Sequence, residues 1–205
     1  MQVIPVTPDR LVEEIVALLD DRTRRVRLVV DGPPPTEPVA LARRAAESLR
    51  VRGRPAMVVD AGDFLRPASV RLESGRENPD EFLAGWLDTA GLRREVLDPS
   101  GPQGSGRVLP RLWNATADRA YRDRHVDLPA GGVLVLAGGV LLGRGLPHDR
   151  AVHLRMNPAA LGRTLPPELA WTLPAYRTYA LEHRPEELAD LVVLCDHPDR
   201  PAVRK

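Results

Sequence analysis

The stretch from Arg25 to Arg50, RVRLVVDGPPPTEPVALARRAAESLR, constrains the fold more than any other part of the chain. Val26 to Val30 is a short β-branched run of the kind that forms a buried parallel strand, and Asp31-Gly32 ends it. Pro38 then opens a helix carrying Val39, Leu41, Ala42, Ala45, Ala46 and Leu49 on its apolar face. Strand, short loop and helix make the frame of a phosphate-binding loop. The working form reads G-x-x-x-x-G-K-[ST], because glycines let backbone N–H groups curl around phosphate, the Lys neutralises it and the hydroxyl holds Mg²⁺. Here Gly32 stands at the first Gly, Pro33, Pro34, Pro35 and Thr36 follow, and then Glu37 takes the second Gly, Pro38 the Lys and Val39 the Ser/Thr. Prolines delete amide donors. A carboxylate at a helix N-terminus complements the dipole and opposes any anion that would dock there. The segment therefore reads as an ordinary turn with Thr36 or Glu37 capping a helix that begins at Pro38, or as an altered phosphate loop in which the Glu37 carboxylate replaces the phosphate.

Around this unit the sequence alternates strands and helices. Thr7-Pro8 followed by Leu11, Val12, Ile15, Val16, Leu18 and Leu19 predicts an N-terminal helix over 8–22. Further apolar strands are expected at Ala56 to Asp60, after Gly132 in GVLVLAGGVLL, at Ala151 to Arg155 and at Leu191 to Leu194. Pro79 starts an amphipathic helix through Phe82, Leu83, Trp86, Leu87, Leu92 and Val96, weakened by Gly85 and Gly91. The segment 98–107 is a loop, and 107–125 carries no clear period. Five such strands predict a three-layer, doubly wound α/β fold in one domain, 1–205. Its ligand site is expected at the carboxyl ends of the strands, near Asp31, Asp60 to Asp63, Gly138 and Arg155.

Composition excludes several classes of function. With 205 residues, 43% hydrophobic and 28% charged, the chain can bury a sizeable core, and no apolar run approaches a membrane span. A net charge of +1 with mixed signs argues against nucleic acid and anionic membranes. One cysteine, Cys195, and no basic-then-apolar start point to the cytoplasm. Cys195-Asp196-His197 lacks metal-ligand spacing, so no metal site is expected. The sole lysine is Lys205, so 28 of the 29 basic residues are arginine and no internal lysine exists to meet a phosphate.

The succession VDGP, LARRAAESLRVRGRP, DFLRP, SGRENP, WNATADR, VLVLAGGVLL, LPAYRTY and RPEELADLVV resembles the bacterial uridine kinase-like P-loop proteins over nearly the whole chain. The resemblance implies a P-loop kinase fold and phosphorylation of a nucleoside-like hydroxyl with ATP and Mg²⁺. It also implies a base at the end of the second strand, an acid after the central strand and an arginine-bearing lid. On that mapping the base position is Gly62, the later acid is Gly138, and the lid, shortened to around 158–174, keeps Arg163. Asp60 and Asp63 are the only nearby substitutes for the base. Phe64, Arg66, Arg76 and Arg119 fall on acceptor-pocket positions. The departures concentrate where phosphoryl transfer needs positioned charge. The expected protein is therefore a degenerate kinase needing no cofactor, which binds a small polar or anionic molecule or a protein partner. The alternative is an active ATP-dependent nucleoside kinase with a rearranged loop.

Overall fold

The computed structural model describes residues 2–197 and 200–204. Seven strands form its central sheet: β1 (Val3–Pro5), β2 (Val26–Asp31), β3 (Ala56–Asp60), β4 (Val133–Gly138), β5 (Arg150–Arg155), β6 (Leu191–Leu194) and β7 (Ala202–Arg204). Their order is β1-β7-β6-β5-β2-β4-β3. The five strands expected from the apolar runs, β2 to β6, are all parallel. Two short strands with no sequence signal extend one edge, β7 antiparallel to β6 and β1 antiparallel to β7.

Both faces of the parallel core are covered, which is why its strands read as unbroken apolar runs. Successive side chains still point to opposite faces. Leu28 and Val30 of β2 pack with Ile15, Ala42 and Ala45, whereas Val29 packs on the other side with Leu97 and Leu141. Val133 to Leu136 are fully buried, each contributing about 1.5–3 kcal/mol of apolar burial. The first face is closed by α1 (Pro8–Ala17) and α2 (Pro38–Val51). The second carries α3 (Pro79–Gly85), α4 (Pro158–Thr164) and α5 (Leu173–Glu182). This is the three-layer α/β arrangement, with no helix among the described residues long and apolar enough to cross a membrane.

Local chemistry sets the helix limits. Thr7 caps α1, its Oγ1 accepting from the Arg10 N–H at 3.2 Å. The helix stops at Ala17, short of the expected 22, and Asp21 beyond it accepts from both the Thr23 N–H at 2.9 Å and the Thr23 hydroxyl at 2.7 Å. Such an Asx turn competes with helical hydrogen bonds. The single helix expected from Pro79 to Val96 is instead broken after Gly85. Asp88 starts a new turn by accepting from the Gly91 N–H at 2.8 Å, and Arg93–Leu97 closes as a π-helical turn. Residues 107–127 make two small antiparallel ladders, Arg107–Val108 with Val126–Asp127 and Trp113–Asn114 with Arg119–Ala120.

Candidate functional site

β2 lies inside the sheet, between β4 and β5, and its carboxyl end delivers Asp31 and Gly32 to the edge where ligands meet open parallel sheets. The connection to α2 is a 3₁₀ turn, Pro34–Thr36. Its amides can be followed one by one. Gly32 N–H donates to the Gly138 carbonyl at 3.0 Å, Thr36 N–H to Pro33 O at 2.9 Å and Glu37 N–H to Pro34 O at 3.0 Å. Pro33, Pro34, Pro35 and Pro38 have no N–H at all. From Gly32 to Pro38, then, each amide is either missing or already bonded. The Thr36 hydroxyl turns inward as well, donating to Pro33 O at 2.8 Å.

Neither Thr36 nor Glu37 caps α2 with its side chain, contrary to the expectation from sequence. Glu37 is exposed and adopts the left-handed conformation, with φ 51° and ψ 53°. The backbone thus keeps the turn a glycine would make here, while the residue bears a Cβ and a charge. A residue in the left-handed region costs roughly 1–2 kcal/mol. Gly32 is held by packing: a Cβ there would lie 2.5 Å from Thr36 Oγ1 and 2.7 Å from Leu154 Cβ.

Beneath the loop, the fully buried Asp31 carboxylate collects three donors. Its Oδ1 accepts from the Leu141 N–H at 2.8 Å, and its Oδ2 accepts from His153 Nδ1 at 2.7 Å and from the Tyr179 hydroxyl at 3.0 Å. Because an ionised carboxylate only accepts, His153 Nδ1 carries the proton. Tyr179 accepts in turn from the Leu142 N–H at 2.8 Å, and burial first, then the Asp31 charge, pushes its phenol well above the ordinary range. Val140, with φ 54°, is a β-branched residue in the left-handed region, and directly after it the Leu141 and Leu142 amides meet Asp31 and Tyr179. The sequence signalled this network only through one acid at the end of an apolar strand and one histidine inside another.

On one side of the loop lies a cavity of about 430 Å³ lined by Glu37, Asp60, Phe82, Trp86, Val140 and Tyr176 among others, with no Lys, Arg or His in its wall. Asp60 contributes a carboxylate there, its Oδ1 accepting from the Gly62 N–H at 2.8 Å. Asp63 is not part of the wall. It bonds the Tyr121 hydroxyl, and burial first, with Asp60 and Asp123 adding negative charge, raises its pKa. A Cβ at Gly138 would stand 2.7 Å from that of Ala61, so the strand end has no room for an acidic side chain at the position of the family's second acid. Phe64 is wholly buried core. Arg66 is half-buried, Arg76 and Arg119 are exposed, and none of the three lines this cavity. Arg163 sits exposed on α4, and the stretch expected from the sequence to form a lid consists of α4, a 3₁₀ turn at Pro167–Thr172 and the start of α5.

A second cavity, about 520 Å³, opens on the other side of Asp31, against α5. It is more polar. Among its arginines, Arg155 pairs with Glu186 at 3.0 Å, Arg204 pairs with the same carboxylate, and Arg184 pairs with Glu187 at 3.2 Å. Cys195, nearby in sequence to the end of β6, is half-buried, and burial with the Asp196 charge pushes its thiol up to about 12.

No family model matches the chain, and no curated protein does. Solved structures do. A possible uridine kinase from Bacillus stearothermophilus superposes with TM-score 0.73 at 20% identity, covering 90% of this chain and 96% of that one. The fold is that of the P-loop kinases. A candidate fructose transport system kinase from Silicibacter sp. TM1040 matches at TM-score 0.64 and 22% identity over 90% of this chain and 95% of its own. The YGR205w protein matches at TM-score 0.63 and 12% identity over 96% and 95%. Within this kinase-like fold, the loop between β2 and α2 is the segment that the sequence mapping placed at the phosphate loop; from Gly32 to Pro38 it offers no free amide, it has no lysine and no hydroxyl at Val39, and the Val39 and Ala40 amides that open α2 make no hydrogen bond among the described residues.

Proposed function

We propose that this chain is a degenerate uridine kinase-like protein that no longer transfers phosphoryl groups and instead binds a small molecule at the carboxyl edge of its sheet. The observation that supports this reading is the state of the loop amides, all absent or internally bonded from Gly32 to Pro38. Phosphoryl transfer depends on positioning and on neutralising charge. With Glu37 where an amide-rich turn should be, Val39 in place of a Mg²⁺ ligand and Gly62 in place of a base, little remains to supply either. The neighbouring structures named as uridine and sugar-transport kinases suggest the ancestral chemistry. The sequence's single cysteine fits a cytoplasmic address.

The test is a melting curve with and without Mg²⁺–ATP. A nucleotide present at 100 times its Kd would stabilise the protein by about 2.7 kcal/mol, a rise of about 5–11 °C for a chain of this size. No such rise is expected, and no phosphorylation of uridine or cytidine above background. A rise reversed by chelating Mg²⁺, together with turnover, would favour an active kinase with a rearranged loop.

A further inference from the structure

We propose that the cavity on the α5 side of Asp31 binds a small organic monoanion, a carboxylate on an apolar body that also carries a hydroxyl, with His153 Nε2 accepting from the hydroxyl and the Arg177 guanidinium taking the carboxylate. The proposal names the ligand class for the small-molecule binding put forward above and rests on that reading.

Most polar groups in this wall are spent on one another. Asp31 accepts from Leu141, His153 and Tyr179, and the Tyr179 hydroxyl also accepts from the Leu142 N–H. Glu186 takes Arg155 on one carboxylate oxygen and Arg204 on the other, and Glu187 takes Arg184. Two groups are left over. His153 lines the cavity and is only 7% exposed, yet its Nε2 has no hydrogen-bond partner among the described residues. That nitrogen is not walled off either, because among the described residues Trp86 Nε1 is the one buried side-chain nitrogen or oxygen left both closed in and unpartnered. Arg177 lines the cavity from α5, one helical turn before Leu181, and its exposed guanidinium makes no hydrogen bond or ion pair among the described residues.

Each of the two sets a requirement on the ligand. His153 Nδ1 spends its proton on Asp31 at 2.7 Å, so in the neutral ring Nε2 is a bare acceptor and calls for a donor such as a hydroxyl. The Asp31 carboxylate is itself pinned by two further donors and so fixes both the ring's orientation and its tautomer. Charge sets the other requirement. Four arginines in the wall stand against three carboxylates, Asp31, Glu186 and Glu187. One positive charge is therefore uncompensated, which suits a monoanion better than a phosphate dianion, and a planar guanidinium matches a carboxylate with two parallel hydrogen bonds. Val140, Met156, Leu161 and Leu173 supply apolar surface for the body. A volume near 520 Å³ lies within the roughly 300–1,000 Å³ of small-molecule pockets.

The experiment titrates the full chain by calorimetry with three probes of matched shape: mandelate, which has phenyl, hydroxyl and carboxylate groups; phenylacetate, which lacks the hydroxyl; and styrene glycol, which lacks the carboxylate. Mandelate should bind saturably at millimolar concentration, about tenfold tighter than styrene glycol and severalfold tighter than phenylacetate. Arg177→Gln, a change at an exposed position, should erase the preference over styrene glycol, and His153→Gln should erase the preference over phenylacetate. Because His153 belongs to a buried network, NMR of the unsubstituted protein with ¹⁵N-labelled histidine provides a second readout: the His153 ring should hold its proton on Nδ1, and its Nε2 signal should move with mandelate and stay with phenylacetate. No saturable mandelate binding, equal binding of mandelate and either analogue, a preference that survives Arg177→Gln, or a His153 ring protonated on Nε2 alone overturns the site. Mg²⁺–ATP, titrated separately, keeps the two readings distinguishable: its binding overturns the loss of phosphoryl transfer whatever mandelate does, and a failure of mandelate to bind overturns the carboxylate site whatever the nucleotide does.

Discussion

Replacing Glu37 tests whether the loop is held in the conformation that consumes its amides. The residue sits at φ 51° and ψ 53°, where an L-residue costs roughly 1–2 kcal/mol relative to its ordinary wells. Glycine relieves that cost but gives the unfolded chain more freedom, worth about 0.4–1 kcal/mol. It also removes a charge near the start of α2, worth about 0.3 kcal/mol or somewhat more at an exposed site. Alanine loses the same charge and keeps the strain, so comparing Glu37→Gly with Glu37→Ala cancels the electrostatics and isolates the backbone. The glycine variant should be the more stable of the two by about 0.5–1 kcal/mol. For a chain of 205 residues this corresponds to about 1–4 °C between their melting midpoints. Guanidinium denaturation should show the same order with an unchanged slope, as expected when only stability moves. An alanine variant as stable as the glycine variant would mean that residue 37 is not left-handed. The internal bonding of the Thr36 and Glu37 amides would then fall with it.

Asp31→Ala strands three buried donors, Leu141 N–H, His153 Nδ1–H and the Tyr179 hydroxyl, and should destabilise the protein by about 3–5 kcal/mol; a loss under about 1 kcal/mol in chemical denaturation would show that the network is not formed. Asp149 is expected to govern part of the acid limb of stability. Burial pushes its pKa up, but hydrogen bonds from the Arg27 side chain, the Arg27 N–H at 2.8 Å and Arg24 outweigh this, and the net shift is downward. A depressed carboxylate means that the unfolded chain binds the proton more readily. Its stabilisation is therefore complete above the unfolded pKa of about 3.9 and fades as pH falls through the lower folded value. Asp149→Asn should cost about 1.5–3 kcal/mol at neutral pH and flatten the stability profile below pH of about 4; an unchanged acid limb would assign that loss to other carboxylates.

The parallel core was legible in the sequence because its determinants are local. β-branched runs such as Val26 to Val30, proline and polar caps before the helices, and a strand–loop–helix unit at Arg25 to Arg50 each act over a few residues. So were the departures from the phosphate-loop pattern, since a missing Lys or a proline's missing amide is a property of the residue itself. Only the tertiary structure decided the rest. The β1 and β7 strands are three residues long and exist because opposite ends of the chain pair with each other and with β6, a contact no local period encodes. The long helix expected after Pro79 breaks because Asp88 found a better bond in the Gly91 amide. Glu37 was expected to act through its carboxylate, yet its backbone angle is what matters, because the loop's shape is fixed by the packing of Gly32 against Leu154 and Thr36. Asp31, His153 and Tyr179 stand up to 148 positions apart, and Asp60 and Tyr176 meet at one cavity only after β3 and α5 have packed on the same edge. Whether a polar side chain is buried, paired or left facing a cavity depends on what the fold brings against it, and that information lies in three dimensions.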